Sequence, residues 1–319
     1  MTNYVIRKIL SLIPMMLVLS FLIYLGIELM PGDAVDFLIP PDALSTMSET
    51  QLNEMRESLG LNDPFMVRYV KWLGGVLHGD FGYSLQSGVP VATLMKNHLP
   101  ATIELTVTAL IFSSIFGILF GVISALKKGS ILDQMLSVVG MIGVAIPQFL
   151  LGLICINAFA LHLNLLPVGG RMASMDQNFF ERLPYLIMPA LVLGFSLTSG
   201  VMRYARGSML DSMGKDYMKT ARAKGIPEWR LNLLHGLRAA LTPVVVLIGF
   251  RLPMLIGGAV VIEEVFQWPG IGALFVDSVR AQNTPLVMMI GFFSVLLVLI
   301  SSIIVDIVTA ALDPRIKLS

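Results

Sequence analysis

Long apolar stretches alternate with short polar ones along most of this 319-residue chain. A helix needs about 20 mainly apolar residues to cross a bilayer. Six segments reach that length: Ile9–Met30, Ala101–Leu126, Leu132–Leu161, Pro184–Met202, Leu241–Ile262 and Pro285–Leu312. Several exceed it, which predicts tilt. The first follows Arg7 and Lys8, as the apolar part of a secretory signal does. It is too long for one, and no small-residue cleavage site comes after it, so it reads as a retained span. The predicted fold is an all-α integral membrane protein of six transmembrane helices. Residues 1–30 hold the N-terminal tail and first helix, 31–100 a partly folded outer segment, and 101–319 a five-helix core with a helix-forming loop at 203–240.

The outer segment carries its own helix signals. Ser-Glu-Thr-Gln at 48–51 fits a capping box, with Ser48 as the cap and Gln51 reaching back. Gly60 suits the end of that short helix, and Asp63-Pro64 opens another with proline at its first position. Acids from Asp33 to Asp80 outnumber Arg56, Arg68, Lys71 and Lys96 here. That face is either a solvated surface or a docking face for an outer partner.

Composition agrees with the pattern: 55% of residues are hydrophobic and 13% charged, against about 25% charged in soluble domains. The net charge of +1 is uninformative, but its distribution is not. With the N-terminus inside, inner segments hold Arg7, Lys8, Lys127, Lys128, the basic residues from Arg203 to Arg238, Arg315 and Lys317. Outer segments hold Arg56, Arg68, Lys71, Lys96, Arg171, Arg182 and Arg280. A bias of about two to one places both termini and the 203–240 loop in the cytoplasm. Cys155 lies in an apolar run and reads as packing. The 20 methionines suit adaptable packing, and Pro14, Pro147, Pro189 and Pro253 can kink spans.

Thr-Ala-Arg-Ala-Lys-Gly at 220–225 opens a long basic segment that runs to Arg238, and it continues as Ile-Pro-Glu-Trp-Arg. Gly225 breaks the helix that approaches from Lys215. Pro227 suits the first turn of a second helix, predicted over Pro227–Arg238, with Glu228 at its positive end. Trp229, Leu233 and Leu237 would form an apolar stripe on it. Such a segment can lie on anionic lipid, act only as a topology signal, or plug into another protein as a short lever.

The run from Asp216 to Pro243 resembles the EAA loop of ATP-driven, binding-protein-dependent importer permeases (the ABC class). Only Ala221 and Gly225 match the general Glu-Ala-Ala…Gly pattern. Tyr217, Thr220, Ala221, Arg222, Ala223, Lys224, Gly225, His235 and Pro243 match the form found in the oligopeptide/dipeptide branch. Other stretches similar to that branch follow in order along nearly the whole chain: LMPGDA at 29–34, LGLNDP at 59–64, GDFGYS at 79–84, LPATIEL at 99–105, IPQFLLG at 146–152, LLPVGG at 165–170 and GGAVVIEEVFQWPGIG at 257–272. Asn283 departs from the pattern, since an aspartate often precedes the Thr-Pro there. The resemblance implies a multi-pass subunit of a bacterial or archaeal plasma (inner) membrane. It implies alternating access, peptide cargo, and a cytoplasmic coupling helix within 216–238 that inserts into an ATPase. Tyr217 to Trp229, including Pro227 and Glu228, would make that contact. The implied partners are a second homologous permease subunit, two ATPase subunits and an extracytoplasmic binding protein, besides membrane lipid; no nucleic acid is expected. The branch also includes importers of nickel and glutathione, so these remain alternative cargoes.

The chain has no G-x-x-x-x-G-K-S/T phosphate-binding loop. It is therefore expected to be no enzyme and to hold no cofactor or metal, with ATP and Mg bound by partner subunits. Arg251, Gly257, Gly258 and Glu263 are the candidates for pathway or gate. Insertion scales charge about 2.5–3.5 kcal/mol for an arginine at mid-span. Arg251 is expected to face the pathway or a subunit seam, or to pair with Asp306. Gly257 and Gly258 would let helices approach closely or leave room for cargo. Glu263, Phe266 and residues 269–272 form a turn-rich outer element, which the resemblance implies to be a re-entrant or scaffold segment near the gate. Glu28 and Glu104 sit near the outer ends of their spans and read as interfacial. An ion-coupled secondary transporter would need acids at mid-membrane, where the deep spans offer little beyond Arg251 and Asp306. An intramembrane enzyme is disfavoured, because no H-E-x-x-H occurs and His78, His98, His162 and His235 lie outside the spans.

Overall fold

The computed structural model describes residues 2–29, 35, 39, 46–58, 60–171 and 179–312. Within them the chain is helical, and its one β feature is an isolated bridge between Tyr83 and Pro90. The helices in order are α1 (Thr2–Glu28), α2 (Glu49–Ser58), α3 (Phe65–Leu77), α4 (Val91–Leu126), α5 (Ile131–Ala145) and α6 (Gln148–Cys155). They continue with α7 (Phe179–Met213), α8 (Asp216–Ala223), α9 (Glu228–Arg230), α10 (Leu237–Val265), α11 (Ile271–Arg280) and α12 (Thr284–Leu312). Wider π turns run on from α6 over Ile156–His162 and join α9 to α10 over Leu231–Gly236.

Among the described residues five helices are long and apolar enough to cross a membrane, and six if α5 and α6 form one span. The expected single span at Leu132–Leu161 is in fact bent by 104° between α5 and α6. Pro147 explains the corner. A residue before proline is pushed out of the helical region, and Ile146 is extended at φ −82°, ψ 125°. Pro147 then caps α6 without donating an N–H. The α1 side chains Leu10, Ile13, Leu17, Val18 and Leu22 are exposed, as are Met135, Val138, Val139, Met141 and Ile142 of α5. Apolar surface of this extent suits a hydrocarbon surround.

The chain divides into two compact units. The first comprises residues 1–6, 101–273 and 298–319. Its core joins Leu105 and Ala109 of α4, Ile156, Leu186 and Leu193 of α7, Ile262 of α10, Phe266 and Trp268. Small residues allow the close approach of α4 and α7: a methyl group at Gly121 would fall 2.5 Å from the Met202 carbonyl oxygen. At one end of this packing Asp133 is buried, and Arg206 of α7 donates to its two oxygens at 2.8 and 2.9 Å. Ser124 and the Gly129 N–H also donate to it. Ser130 caps α5 by accepting the Asp133 N–H.

The second unit comprises residues 7–100 and 274–297. The capping box forms as the spacing predicts: Gln51 Oε1 accepts the Ser48 N–H at 3.0 Å, and Ser48 Oγ accepts the Gln51 N–H. Gly60 sits at φ +68° and accepts the turn that closes α2. Pro64 stands one place earlier than predicted, as the cap before α3 rather than its first residue. Rings of α1 and α3 interlock edge to face, with Phe21 5.5 Å from Tyr69 and 5.7 Å from Phe65. Glu28 pairs with Arg68. Asn283 is buried and bonded on both sides: its Oδ1 accepts the Leu85 N–H at 3.1 Å while its Nδ2 donates to Ser84 Oγ at 2.7 Å. An aspartate there would accept at both oxygens, with the Ser84 hydroxyl turned to donate.

Candidate coupling loop and pathway residues

The loop between α7 and α10 consists of two parts joined by a glycine. Lys215 is extended and starts α8. Three buried groups hold α8 to its neighbours. Met218 is fully buried, and Gly236 makes room for it, since a methyl group there would meet Met218 and Met209 at 3.4 and 3.0 Å. Ser212 Oγ donates to the Gly236 carbonyl at 2.9 Å. A hydroxyl has one proton, so Tyr217 must donate to Ser212 Oγ, 2.6 Å away. Thr220 bonds back to the Asp216 carbonyl, and Ala221 is half-buried.

Beyond Ala221 the chain faces outward. Arg222, Ala223, Lys224, Gly225, Pro227, Glu228 and Trp229 are all exposed, with Trp229 at 65%. Gly225 turns the chain at φ +76°, a conformation that costs an L-residue about 1 kcal/mol. Its N–H reaches the Arg222 carbonyl at 3.0 Å. Pro227 is extended and caps α9. Across this turn Arg222 donates to Glu228 twice, Nε to Oε1 at 2.5 Å and Nη2 to Oε2 at 3.1 Å. The bond to Glu228 raises the Arg222 pKa. The loop thus ends in a pinned but solvent-facing corner, carrying an indole and several cations.

The predicted separate helix at Pro227–Arg238 is not separate. From Glu228 the backbone stays helical through the π turn and into α10, so the corner is continuous with a candidate span. The predicted stripe also shifts. Leu231 and Gly236, five residues apart, are buried, while Trp229 and Leu233 are exposed. An i→i+5 turn changes which residues share a face.

Glu263 is fully buried near the C-terminal end of α10. Thr102 Oγ1 donates to one carboxylate oxygen at 2.6 Å and the Ala273 N–H to the other at 3.0 Å. Thr102 in turn accepts the Ile271 N–H at 2.8 Å, and Trp268 Nε1 donates to the Ala101 carbonyl at 2.8 Å. A methyl group at Gly270 would fall 2.2 Å from the Glu263 carboxylate. Glu263 therefore anchors the turn at 268–272. Nearby, Glu104 bonds Arg171 at 2.7 Å, and Arg171 lies 5.8 Å over the Trp268 ring. Arg251 packs over Gly200 of α7 and makes no ion pair with Asp306. The side-chain surroundings of Gly257 and Gly258 lie outside the described residues. The structure thus groups Tyr217 to Trp229 in one loop and leaves Arg251 and Glu263 at separate points along α10. Sequence reasoning passed over the Asp133–Arg206 pair; its signal was the Ser-x-x-Asp cap at 130–133.

Residues 117–318 match the family described as "Binding-protein-dependent transport system inner membrane component", and residues 1–106 match the N-terminal part of such components. The chain belongs to this family. It is an integral membrane permease subunit of a binding-protein-dependent transport system. It is 40% identical to the oligopeptide transport system permease protein AppB of Bacillus subtilis, over 99% of this chain and 100% of that one. It is 36% identical to the glutathione transport system permease protein GsiC of Escherichia coli K12, over 99% of both. The inward-facing MetNI methionine ABC transporter shares the fold over 70% of this chain and 97% of its own, with a TM-score of 0.54 at 19% identity.

Proposed function

We propose that the chain is one permease subunit of an ATP-driven importer that carries peptides across the inner membrane by alternating access. The observation that carries this reading is the Gly225 corner. It is exposed, cationic, pinned by Arg222–Glu228, and continuous with a candidate span on one side. A surface built so receives a push and passes it along a helix. Two ATPase subunits in the cytoplasm supply that push, a second homologous permease completes the conduit, and an extracytoplasmic protein delivers cargo. Both termini lie inside. The chain itself holds no nucleotide site and catalyses nothing. The likeness to an oligopeptide permease supports peptides as cargo, and the likeness to a glutathione permease supports a γ-linked tripeptide as the second reading.

Deleting Arg222–Glu228 from the assembled complex tests the coupling role. The expected result is loss of the ATPase subunits on purification, or ATP hydrolysis that no longer drives import. Import at the unmodified rate would refute it. Measuring which ligand the genomically adjacent binding protein captures separates the two cargo readings.

A further inference from the structure

Arg251 has no task in the coupling scheme, and its surroundings are unusual for a cation. It lies inside α10, 14 residues beyond Leu237. Its guanidinium is pressed over Gly200, where a methyl group would fall 2.1 Å from Nη2. Its Nε is buried without an acceptor. The charge that acts on it is of the same sign and comes from Arg203. Arg203 is three residues beyond Gly200 on α7, so the two share a helix face. Arg203 itself is exposed on that face, so the buried guanidinium of Arg251 has a second cation one turn further along α7 at an accessible position, and no described carboxylate compensates Arg251.

An unmatched pair of this kind is the complement of an anion. The planar fork of a guanidinium matches a carboxylate bidentately. We propose that Arg251 and Arg203 form a carboxylate station on the transport path, which holds the free C-terminal carboxylate of a peptide during passage. This rests on the peptide-importer reading above. Every linear peptide carries that group whatever its sequence, so one fixed cation pair serves many cargoes. The placement also suits a ligand taken and released once per cycle. Helices α7 and α10 flank the coupling loop, so displacement of the loop changes the spacing of the two arginines directly. A permanent counter-ion from a neighbouring subunit would gain nothing from that position.

The test uses the whole complex in proteoliposomes, with its binding protein and ATP inside. Import of trialanine is compared with import of trialanine amide, each at saturating concentration, for the unmodified complex, Arg251→Gln and Arg203→Gln. The binding protein is the same throughout, so a change in the acid-to-amide ratio reports on the permease. The expected result is a fall of about tenfold in that ratio in both variants, the loss of a charge-assisted bond, with partial recovery in Arg251→Lys. An unchanged ratio in assembled variants overturns the proposal. So does loss of the second permease subunit from both variants, which assigns the arginines to a seam. Arg203→Gln decides the matter if Arg251→Gln does not assemble. A complex that imports neither peptide form even when unmodified overturns the peptide reading and this station with it; one that imports both while the variants keep its ratio overturns the station alone.

Discussion

The continuous helix that contains α10 carries Glu228 at its N-terminal approach and Glu263 near its C-terminal end, and the two carboxylates sit in opposite surroundings. Glu228 is solvent-exposed and bonded to one arginine across a glycine turn. Glu263 is fully buried and accepts from a threonine hydroxyl and a backbone N–H, with glycines cleared away around it. An exposed ion pair in water contributes little to stability and exchanges partners readily. A buried acceptor fixes its donors, because each donor left without it is desolvated for nothing. The Gly225 corner is therefore built to change contacts and the turn at 268–272 to keep them.

Substitutions sharpen this contrast in a definite order. Glu263→Ala should have the largest effect on stability, about 3 kcal/mol, because Thr102 Oγ1 and the Ala273 N–H lose their acceptor; thermal denaturation of the purified complex measures it. Gly270→Ala should cost about 2 kcal/mol by forcing the carboxylate aside, read by the same melt. Gly225→Ala should cost about 1 kcal/mol for the left-handed turn, while import in proteoliposomes falls further than stability does. Arg222→Ala should leave the melting temperature within about 1 °C yet weaken co-purification of the ATPase subunits. A destabilisation by Arg222→Ala equal to that of Glu263→Ala would erase the distinction between the two ends.

Much of this was legible in the residues. Hydropathy located every candidate span, because a bilayer imposes length and apolarity on each helix separately. The capping box at Ser48 and the turn at Gly225 were legible because they depend on neighbours in sequence. The 104° corner at Ile146–Pro147 was half legible: proline announces a disturbance, but its angle depends on what α5 and α6 pack against. The π turn at Leu231–Gly236 had no signal, since the pattern of leucines there also fits an α-helix. Glu263 reads from sequence only as part of a turn-rich element that the resemblance sets near the gate; its role as an acceptor was not legible, because its partners Thr102 and Ala273 are distant or unremarkable in sequence. Arg251 was conspicuous, but of its alternatives the pair with Asp306 does not form among the described residues, because neighbouring helices decide what a side chain meets.

The wide turn at Leu231–Gly236 holds one residue more than regular α geometry requires. Each residue added to or removed from a helix rotates all that follows by about 100°. The angular phase of Arg251 relative to Trp229 is therefore set by that surplus residue. Deleting it would leave both ends chemically intact and aim them in different directions.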